Sequence, residues 1–246
     1  WMKRTNFRLA QSTLIKAIGL RVNATIDGYR QTTTHPYTST SGDYYTVFSH
    51  INDKNSRFPG LNKHGLPYNI TDNPVAETAE DAGYKRGTAS VINGKGELIW
   101  DLEQFGLKGL KVRAASNYRF AAEQNKNWRK DAGQYDWDSE SPIYANKPVL
   151  NHSSSTGYSF TNQAFVEYAN QFGKHNVSAL GGFEQYYEKT ESYWLQRDNY
   201  AFDIDQIGVG DANSQTNGGS EAEAGRAAWI GQVKYNYDNK YYAEGS

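Results

Sequence analysis

The side chains best suited to chemistry are scattered along this sequence. Its histidines show no metal-ligand spacing, and no serine and aspartate accompany one of them as a catalytic triad requires. The absence of cysteine excludes thiol catalysis and cysteine-based zinc sites. We therefore predict a protein that is not an enzyme and that has no metal site and no cofactor. The five histidines are His35, His50, His64, His152 and His175.

One acidic group and one glycine-rich run require separate consideration. Asp203, Asp205 and Asp211 have some of the spacing of a calcium loop. However, Ile207 occupies the position that should supply the next oxygen, and no glutamate closes the loop. We therefore interpret this segment as a polar loop. The glycine-rich residues between 208 and 219 are not followed by a helix, so they do not form a phosphate-binding loop.

Aromatic side chains in long polar segments are the best candidates for ligand binding. Flat rings stack on sugar faces, and loops held by a rigid scaffold commonly carry binding residues. The alternative is that these rings pack the loops on which they lie. The candidate ligand-binding residues are Trp128, Tyr135 and Trp137 in the segment 121–157, and Tyr193 and Trp194 at the start of the segment 191–220.

The composition excludes some classes of protein and leaves two. A net charge of −1 provides no electrostatic footprint for nucleic acid. The mean hydropathy is −0.81, and no apolar run approaches the ~18 residues that a membrane helix requires. A membrane barrel is still allowed, because each of its strands is apolar on one face only. The 19 tyrosines and 6 tryptophans fit either a membrane interface or a soluble β-sandwich.

Four very short turns alternate with three long polar segments. We expect the turn at Asp238-Asn239 to be the tightest, since both residues tolerate the positive φ that a two-residue hairpin demands. Short turns at one end and long loops at the other are typical of an outer-membrane β-barrel. The turns lie at 17–19, 105–109, 172–174 and 238–239, and the long segments lie at about 31–87, 121–157 and 191–220.

The segments between these turns alternate between apolar and polar residues. In the segment 20–28, for example, Leu20 and Ile26 fall on one face and Asp27 falls on the other. A period of two is that of a strand with one dry face. Aromatic residues such as Tyr235 lie near the strand ends, as in the girdles of a membrane barrel. This placement favours a barrel over a soluble sandwich.

Pairing the segments across the short turns predicts four hairpins and about eight strands. Eight strands with an interrupted last strand do not close a barrel easily, and a bilayer does not tolerate open sheet edges. We therefore predict that residues 1–246 form an all-β, antiparallel transmembrane β-barrel segment. This segment is either part of a larger barrel or pairs with another chain. The hairpins join 4–13 with 20–29, 88–102 with 110–120, 158–170 with 175–190, and 221–237 with the residues from 240 onward.

Four segments, taken in order, resemble those of one family. They are Asn73-Pro74 followed by Gly83-Tyr84, the turn 106–112, the stretch 172–184, and the hairpin formed by 226–237 and 241–246. The family is that of the SusC-like TonB-dependent receptors of Bacteroidetes, and the series spans nearly the whole chain in the expected order. The resemblance implies a 22-stranded barrel in the bacterial outer membrane, with short periplasmic turns and long extracellular loops. Within that pattern this chain corresponds to the middle of the barrel domain, without the plug domain and the C-terminal strands.

The resemblance also implies a function and a set of partners. The function is TonB-dependent active import of a nutrient, either a glycan or oligosaccharide or a peptide. The partners are a SusD-like lipoprotein lid, TonB acting through the plug domain, and outer-membrane lipids. The loop aromatics then contact either the substrate or the lid. Charged residues face the lumen, where they either shape the transport path or pair with plug carboxylates or with Glu167 and Glu184. These residues are Arg113, Arg119, Arg226 and Lys234.

The alternative function is that of a soluble extracellular β-sandwich, either a glycan-binding module or an adhesin. Such a module predicts two packed sheets and solubility without detergent.

Overall fold

The strands of this chain form one large antiparallel sheet, which we describe from a computed structural model for residues 1–37, 44–54, 57–130, 133–145 and 147–246. Eight strands form the sheet in the order β1-β2-β3-β4-β7-β8-β9-β10, and β5 pairs with β6 in a separate ribbon. Within the described residues, β1 and β10 form the two edges of an open sheet. The strands are β1 (Met2–Ile15), β2 (Leu20–Pro36), β3 (Gly83–Asp101), β4 (Leu110–Arg129), β5 (Gly133–Tyr135), β6 (Pro142–Ala145), β7 (Val149–Phe172), β8 (His175–Asp198), β9 (Thr216–Tyr237) and β10 (Tyr241–Gly245).

Two short helices lie between β2 and β3, namely α1 (Tyr44–Asp53) and α2 (Pro74–Thr78). Among the described residues, no helix has the length and apolar character needed to cross a membrane. The order and pairing of the strands confirm the predicted antiparallel all-β architecture, and the helices belong to a connection between strands.

The four short turns are confirmed, but the tightest of them is not the one that we predicted. Phe172 pairs with His175, so Gly173 and the following lysine form a two-residue turn in which Gly173 has a φ of 60°. Asp238 and Asn239 do adopt positive φ, at 53° and 55°. Their turn includes a third residue, because the Asn236 side chain accepts the Asn239 amide at 2.8 Å and the ladder resumes only after Lys240.

The four hairpins are confirmed, and their strands extend well beyond the predicted bounds. The long connections cover only residues 37–82, 130–148 and 199–215. The ladder between β7 and β8, for example, continues from Phe172–His175 to Val149–Asp198 without a shift in register. The parts of the strands far from the short turns were predicted to be loops because their residues do not alternate in polarity. Backbone hydrogen bonding between strands does not require such alternation.

One face of the sheet carries mostly apolar side chains and the other mostly polar ones, and we call them the apolar face and the polar face. The continuous register places residues of similar polarity side by side across the strands, and most apolar side chains of the apolar face are exposed. On the apolar face, one cross-strand row contains Val22, Leu98, Ala114, Ala164, Phe183 and Trp229. The neighbouring row on the polar face contains Asn23, Glu97, Ala115, Gln163 and Glu184.

Two glycines permit an aromatic ring to lie across the neighbouring strand. A Cβ atom at Gly182 would lie 2.1 Å from Cδ1 of Phe165, its cross-strand partner on the polar face. A Cβ atom at Gly28 would lie 2.8 Å from Cε1 of Phe7 on the apolar face. Each ring therefore occupies the space that a larger side chain would need, and it covers backbone that glycine would leave bare.

Candidate functional site

The five candidate aromatic residues all lie toward the end of the sheet that is opposite the short turns, which we call the long-loop end. Three of them are strand residues, so their predicted position in loops is wrong. Trp128 lies in β4, and Tyr193 and Trp194 lie in β8. Tyr135 ends β5 and Trp137 follows it, so these two lie in the connection between β4 and β7, as predicted.

Trp128 is the most deeply buried aromatic residue of the described chain. It is 1% exposed, as is Leu150, its cross-strand partner on β7. The ring of Tyr200 packs edge-on against Trp128 with a centroid distance of 4.7 Å. Trp128 therefore packs the structure, and in this conformation its ring is closed to a ligand.

Residues 199–215, which we call the cover segment, close over Trp128 on the apolar-face side of the sheet. Ile207 and Val209 pack against the cluster formed by Trp128, Leu150 and Tyr200. The Tyr200 hydroxyl is buried without a hydrogen-bond partner among the described residues. Apolar packing therefore holds the cover segment over Trp128.

Polar contacts also hold the cover segment, at Asp205. The Tyr84 hydroxyl donates a hydrogen bond to the Asp205 carboxylate, and Lys126 Nζ lies 2.9 Å from the same carboxylate. Burial and the hydrogen bond to Asp205 raise the pKa of Tyr84 to about 12. Burial disfavours the charged carboxylate, yet hydrogen bonds from Tyr84 and Lys126 hold the pKa of Asp205 below its usual value.

The three aspartates of the rejected calcium loop have separate partners. Asp203 pairs with Lys130 at 2.8 Å, and this hydrogen bond raises the pKa of Lys130. Asp205 binds the residues described above. Asp211 accepts the backbone amide of Asn213 at 2.9 Å. Each carboxylate therefore has its own contact within or beside this polar loop.

Two buried asparagines organise the other connections at the long-loop end. Asn62 donates to the carbonyls of Asp136 and Ser139 at 3.0 and 2.8 Å, and it thereby joins the connection before β3 to the one after β5. Asn73 is 1% exposed and donates to the carbonyls of Gly60 and Tyr68, at 2.8 Å each. Its Oδ1 also accepts the first free amide of α2 at 3.0 Å, as an N-cap does.

Tyr135 and Trp137 lie on this packed pair of connections. The Tyr135 backbone bonds to Pro67 and Asn69, at 3.0 and 2.9 Å. The Trp137 ring meets Tyr68 edge-on at 5.9 Å and is still 46% exposed. Trp137 therefore combines a fixed position with an accessible ring, which is what a stacking contact requires.

Tyr193 and Trp194 are neighbours in β8, so their side chains point to opposite faces of the sheet. They are 50% and 41% exposed. Trp194 pairs across the strands with Gly218, and a Cβ atom there would lie 2.7 Å from the indole nitrogen. The structure therefore places these two rings on different surfaces, and they cannot stack on the same ligand face. Their role in ligand binding stays a prediction, as it does for Tyr135 and Trp137.

The charged residues of the polar face pair within the sheet, with partners other than those we predicted. Arg113 binds Glu97, with Nε 2.9 Å from Oε1, and Glu97 also accepts Asn23 Nδ2 at 2.9 Å. Lys234 lies 3.4 Å from Glu244. Arg119 donates to the Asn93 side chain at 3.5 Å, Arg226 lies over the Tyr186 ring at 5.0 Å, and Glu184 accepts Gln163 at 2.6 Å.

One group of possible metal ligands was missed by the sequence analysis. His50, Asp72 and Glu77 place one ligand atom each within 4.8 Å of one another. They come from α1, from the turn before α2 and from α2 itself. No spacing rule finds them, because 21 residues separate the histidine from the aspartate. The only local signal was Asn73-Pro74, which is typical of a helix N-terminus.

The fold defines the class of the protein as a section of an antiparallel β-barrel wall with long connections at one end. The solved structures to which it is similar include those of RagAB. The RagAB peptide transporter superimposes with a TM-score of 0.71 at 17% sequence identity, over 99% of this chain and 27% of that chain. The RagAB peptide importer gives TM-scores of 0.72 in its closed-closed state and 0.70 in its open-open state, with the same identity and coverage.

This chain therefore spans about a quarter of the length of the chains that it resembles, since it covers 27% of each. No protein-family profile and no curated protein match its sequence. The similarity in structure establishes the fold, in agreement with the partial barrel that the sequence resemblance implied.

Proposed function

We propose that this chain is a section of the barrel wall of a SusC-like TonB-dependent receptor that imports a nutrient oligomer across the bacterial outer membrane. The observation that carries this proposal is the apolar face of the eight-stranded sheet, which is exposed over a band of membrane height. On β4 this band runs over the eleven residues from Leu110 to Phe120, which are ten residue steps along the strand. At about 3.4 Å per residue and a tilt of about 40°, ten residues rise about 26 Å, close to the ~25 Å apolar band of such barrels.

Aromatic residues border the band at both ends, as at a membrane interface. Trp100 and Tyr168 lie near the short turns. Tyr118 and Tyr158 lie at the other end, with ring centroids 6.4 Å apart. Both ends of the band therefore carry the amphipathic rings that are enriched where hydrocarbon meets water.

A hydrogen bond joins two polar residues within the band. Ser116 Oγ donates to Asn162 Oδ1 at 2.7 Å across β4 and β7. In hydrocarbon an unpaired hydroxyl would cost several kcal/mol, and this bond removes most of that cost. The pair is therefore compatible with a surface that faces lipid.

The long-loop end is the proposed site of substrate capture and of contact with a SusD-like lipoprotein lid. Trp137, Tyr135, Tyr193 and Trp194 are its candidate contacts, and Trp128 serves to pack the cover segment. The substrate is a glycan or a peptide. The exposed rings suit sugar faces, whereas the similarity to a peptide importer supports a peptide. TonB would drive the uptake through the plug domain of the complete receptor.

The alternative of a soluble β-sandwich module is wrong at the level of the fold. A sandwich needs a second sheet packed over the apolar face. Within the described residues, the only second sheet is the two-stranded ribbon of β5 and β6. The apolar face is therefore not covered by a second sheet of the size that a sandwich needs. The fold does not support a glycan-binding module or an adhesin of the β-sandwich class.

Uptake by living cells tests the proposal. Labelled oligosaccharides and peptides are supplied to cells that carry the full-length protein, with and without TonB. We expect one of the two classes to accumulate only when TonB is present. Trp137→Ala should reduce uptake several-fold, whereas Tyr200→Phe, which removes only a buried hydroxyl, should leave it unchanged. Uptake that is equal without TonB would contradict active import.

A further inference from the structure

His50, Asp72 and Glu77 form a compact group at the long-loop end. His50 Nδ1 lies 2.8 Å from Glu77 Oε2, and the two side chains are only 13% and 11% exposed. A ligand atom of Asp72 completes the group, with all three atoms within 4.8 Å of one another. The arrangement thus joins one imidazole nitrogen and two carboxylates in a partly enclosed position.

The local backbone holds two of these three residues firmly. Asp72 adopts a φ of 51°, in the left-handed region, immediately before the buried N-cap Asn73. Asn73 fixes the start of α2 through three hydrogen bonds, and Glu77 follows within that helix. Only His50, on α1, approaches from a separate element. Asp72 and Glu77 are therefore held in place by the turn and by α2, and His50 completes the group from α1.

Two lysines lie close to this group. Lys85 interacts electrostatically with Glu77, and Lys54 donates its ammonium hydrogen bond to the carbonyl of Thr71. His50 and Lys85 thus both act on Glu77. Burying such a pair of negative groups is unfavourable unless a positive charge compensates for them.

We propose that His50, Asp72 and Glu77 bind a first-row divalent cation, for which zinc is the natural probe. Zinc takes nitrogen and carboxylate oxygen at about 2.0–2.2 Å, which places neighbouring ligand atoms roughly 3–3.5 Å apart. Small rotations of the three side chains bring the group to these separations. Water completes the coordination. The cation pins α1 to α2 and so tightens the connection between β2 and β3, and this role does not depend on the proposed import function.

Zinc titration of the full-length protein in detergent, in competition with a chromophoric chelator, tests the site. We expect the wild type to bind one equivalent of Zn²⁺ that His50→Ala, Asp72→Asn and Glu77→Gln each lose. Loss of a direct ligand should weaken the affinity by more than about 100-fold, since loss of an outer-shell partner alone costs about 10- to 100-fold. Asparagine tolerates the left-handed φ at residue 72, and glutamine can keep the hydrogen bond to His50, so neither variant should unfold the region.

The matched control is His64→Ala. His64 Nδ1 lies 2.9 Å from Glu140 Oε1, so it forms the same type of pair, but the cluster of three ligands does not include it. This variant should retain the equivalent of Zn²⁺. Absence of binding by the wild type, undiminished binding by His50→Ala, or equal loss in His64→Ala would overturn the proposal. As a second measurement, Zn²⁺ should slow proteolysis within α1 in the wild type and leave it unchanged in Glu77→Gln.

Discussion

Replacing Trp128 with alanine should release the cover segment and leave the sheet intact. A fully buried tryptophan costs about 3–5 kcal/mol when truncated to alanine, and this includes about 0.5–1.5 kcal/mol from its edge-on contact with Tyr200. Strand β4 is held by continuous ladders to β3 and β7, so the loss falls on the docking of residues 199–215. A loss of 3 kcal/mol raises the population of the open segment about 10²-fold.

Hydrogen exchange of peptides from the full-length protein measures this opening. Residues 199–215 should exchange about 10²-fold faster in Trp128→Ala, with β4 and β7 unchanged. Two controls isolate the cause. Tyr200→Phe keeps the ring and removes an unpaired buried hydroxyl, so exchange should stay equal or become slower. Trp137→Ala should have no effect on this segment. Unchanged exchange in Trp128→Ala, or equal acceleration across the whole sheet, would refute the reasoning.

Three further substitutions test the sheet and the contacts of the cover segment. Gly182→Val should destabilise the full-length protein by about 1–3 kcal/mol in urea unfolding, because a Cβ atom at residue 182 would lie 2.1 Å from the Phe165 ring. The control Gly181→Val should leave the free energy of unfolding unchanged, because a Cβ atom at residue 181 meets nothing within 4 Å. Ala227→Arg on the apolar face should lower the free energy of unfolding in lipid vesicles by about 2–4 kcal/mol. Ala228→Arg, which lies on the opposite face beside Glu184, should lower it little. Equal losses in the two variants would contradict a lipid-facing band. The raised pKa of Tyr84 means that its neutral form supports docking of the cover segment below pH 10 and loses this effect as the pH rises toward 12. Subtracting the tyrosinate titration of Tyr84→Phe from that of the wild type isolates the ionisation of Tyr84, which should have its midpoint near pH 12. A midpoint near pH 10 would exclude the hydrogen bond between Tyr84 and Asp205.

The sequence predicted the hairpins where one face of a strand is apolar, and it failed where both faces are polar. Segment 20–28 alternates strictly, and its hairpin with β1 is confirmed. Segment 121–129 does not alternate and was predicted to be a loop, yet it continues β4 to Arg129. The ladder to β3 and β7 stabilises it there, since backbone hydrogen bonds need no particular side-chain pattern.

The candidate site was harder to predict, because its contacts join residues that are distant in the sequence. Trp128 is buried by Leu150 and by Tyr200, which lie 22 and 72 positions further along the chain. A tryptophan between Asn127 and Arg129 gives no local indication of that burial. Asn73 was more accessible to prediction, since an asparagine followed by proline is typical of a helix N-terminus.

The apolar-face side of the sheet has two environments, and this explains why aromatic residues along one strand differ in role. On β4, Phe120 and Trp128 lie on the same side, eight residues and so about 27 Å apart along the strand. Phe120 belongs to the band that we assign to lipid, whereas Trp128 is covered by residues 199–215. Between them the same side carries Ala122, Gln124 and Lys126, which suit water. In the proposed membrane orientation, the strand therefore leaves the lipid-facing band after Phe120. It needs a protein cover again only at the apolar side chain of Trp128. Aromatic residues above this polar interval pack the connections, so ligand contact is expected only from rings that such packing leaves exposed, as it leaves Trp137.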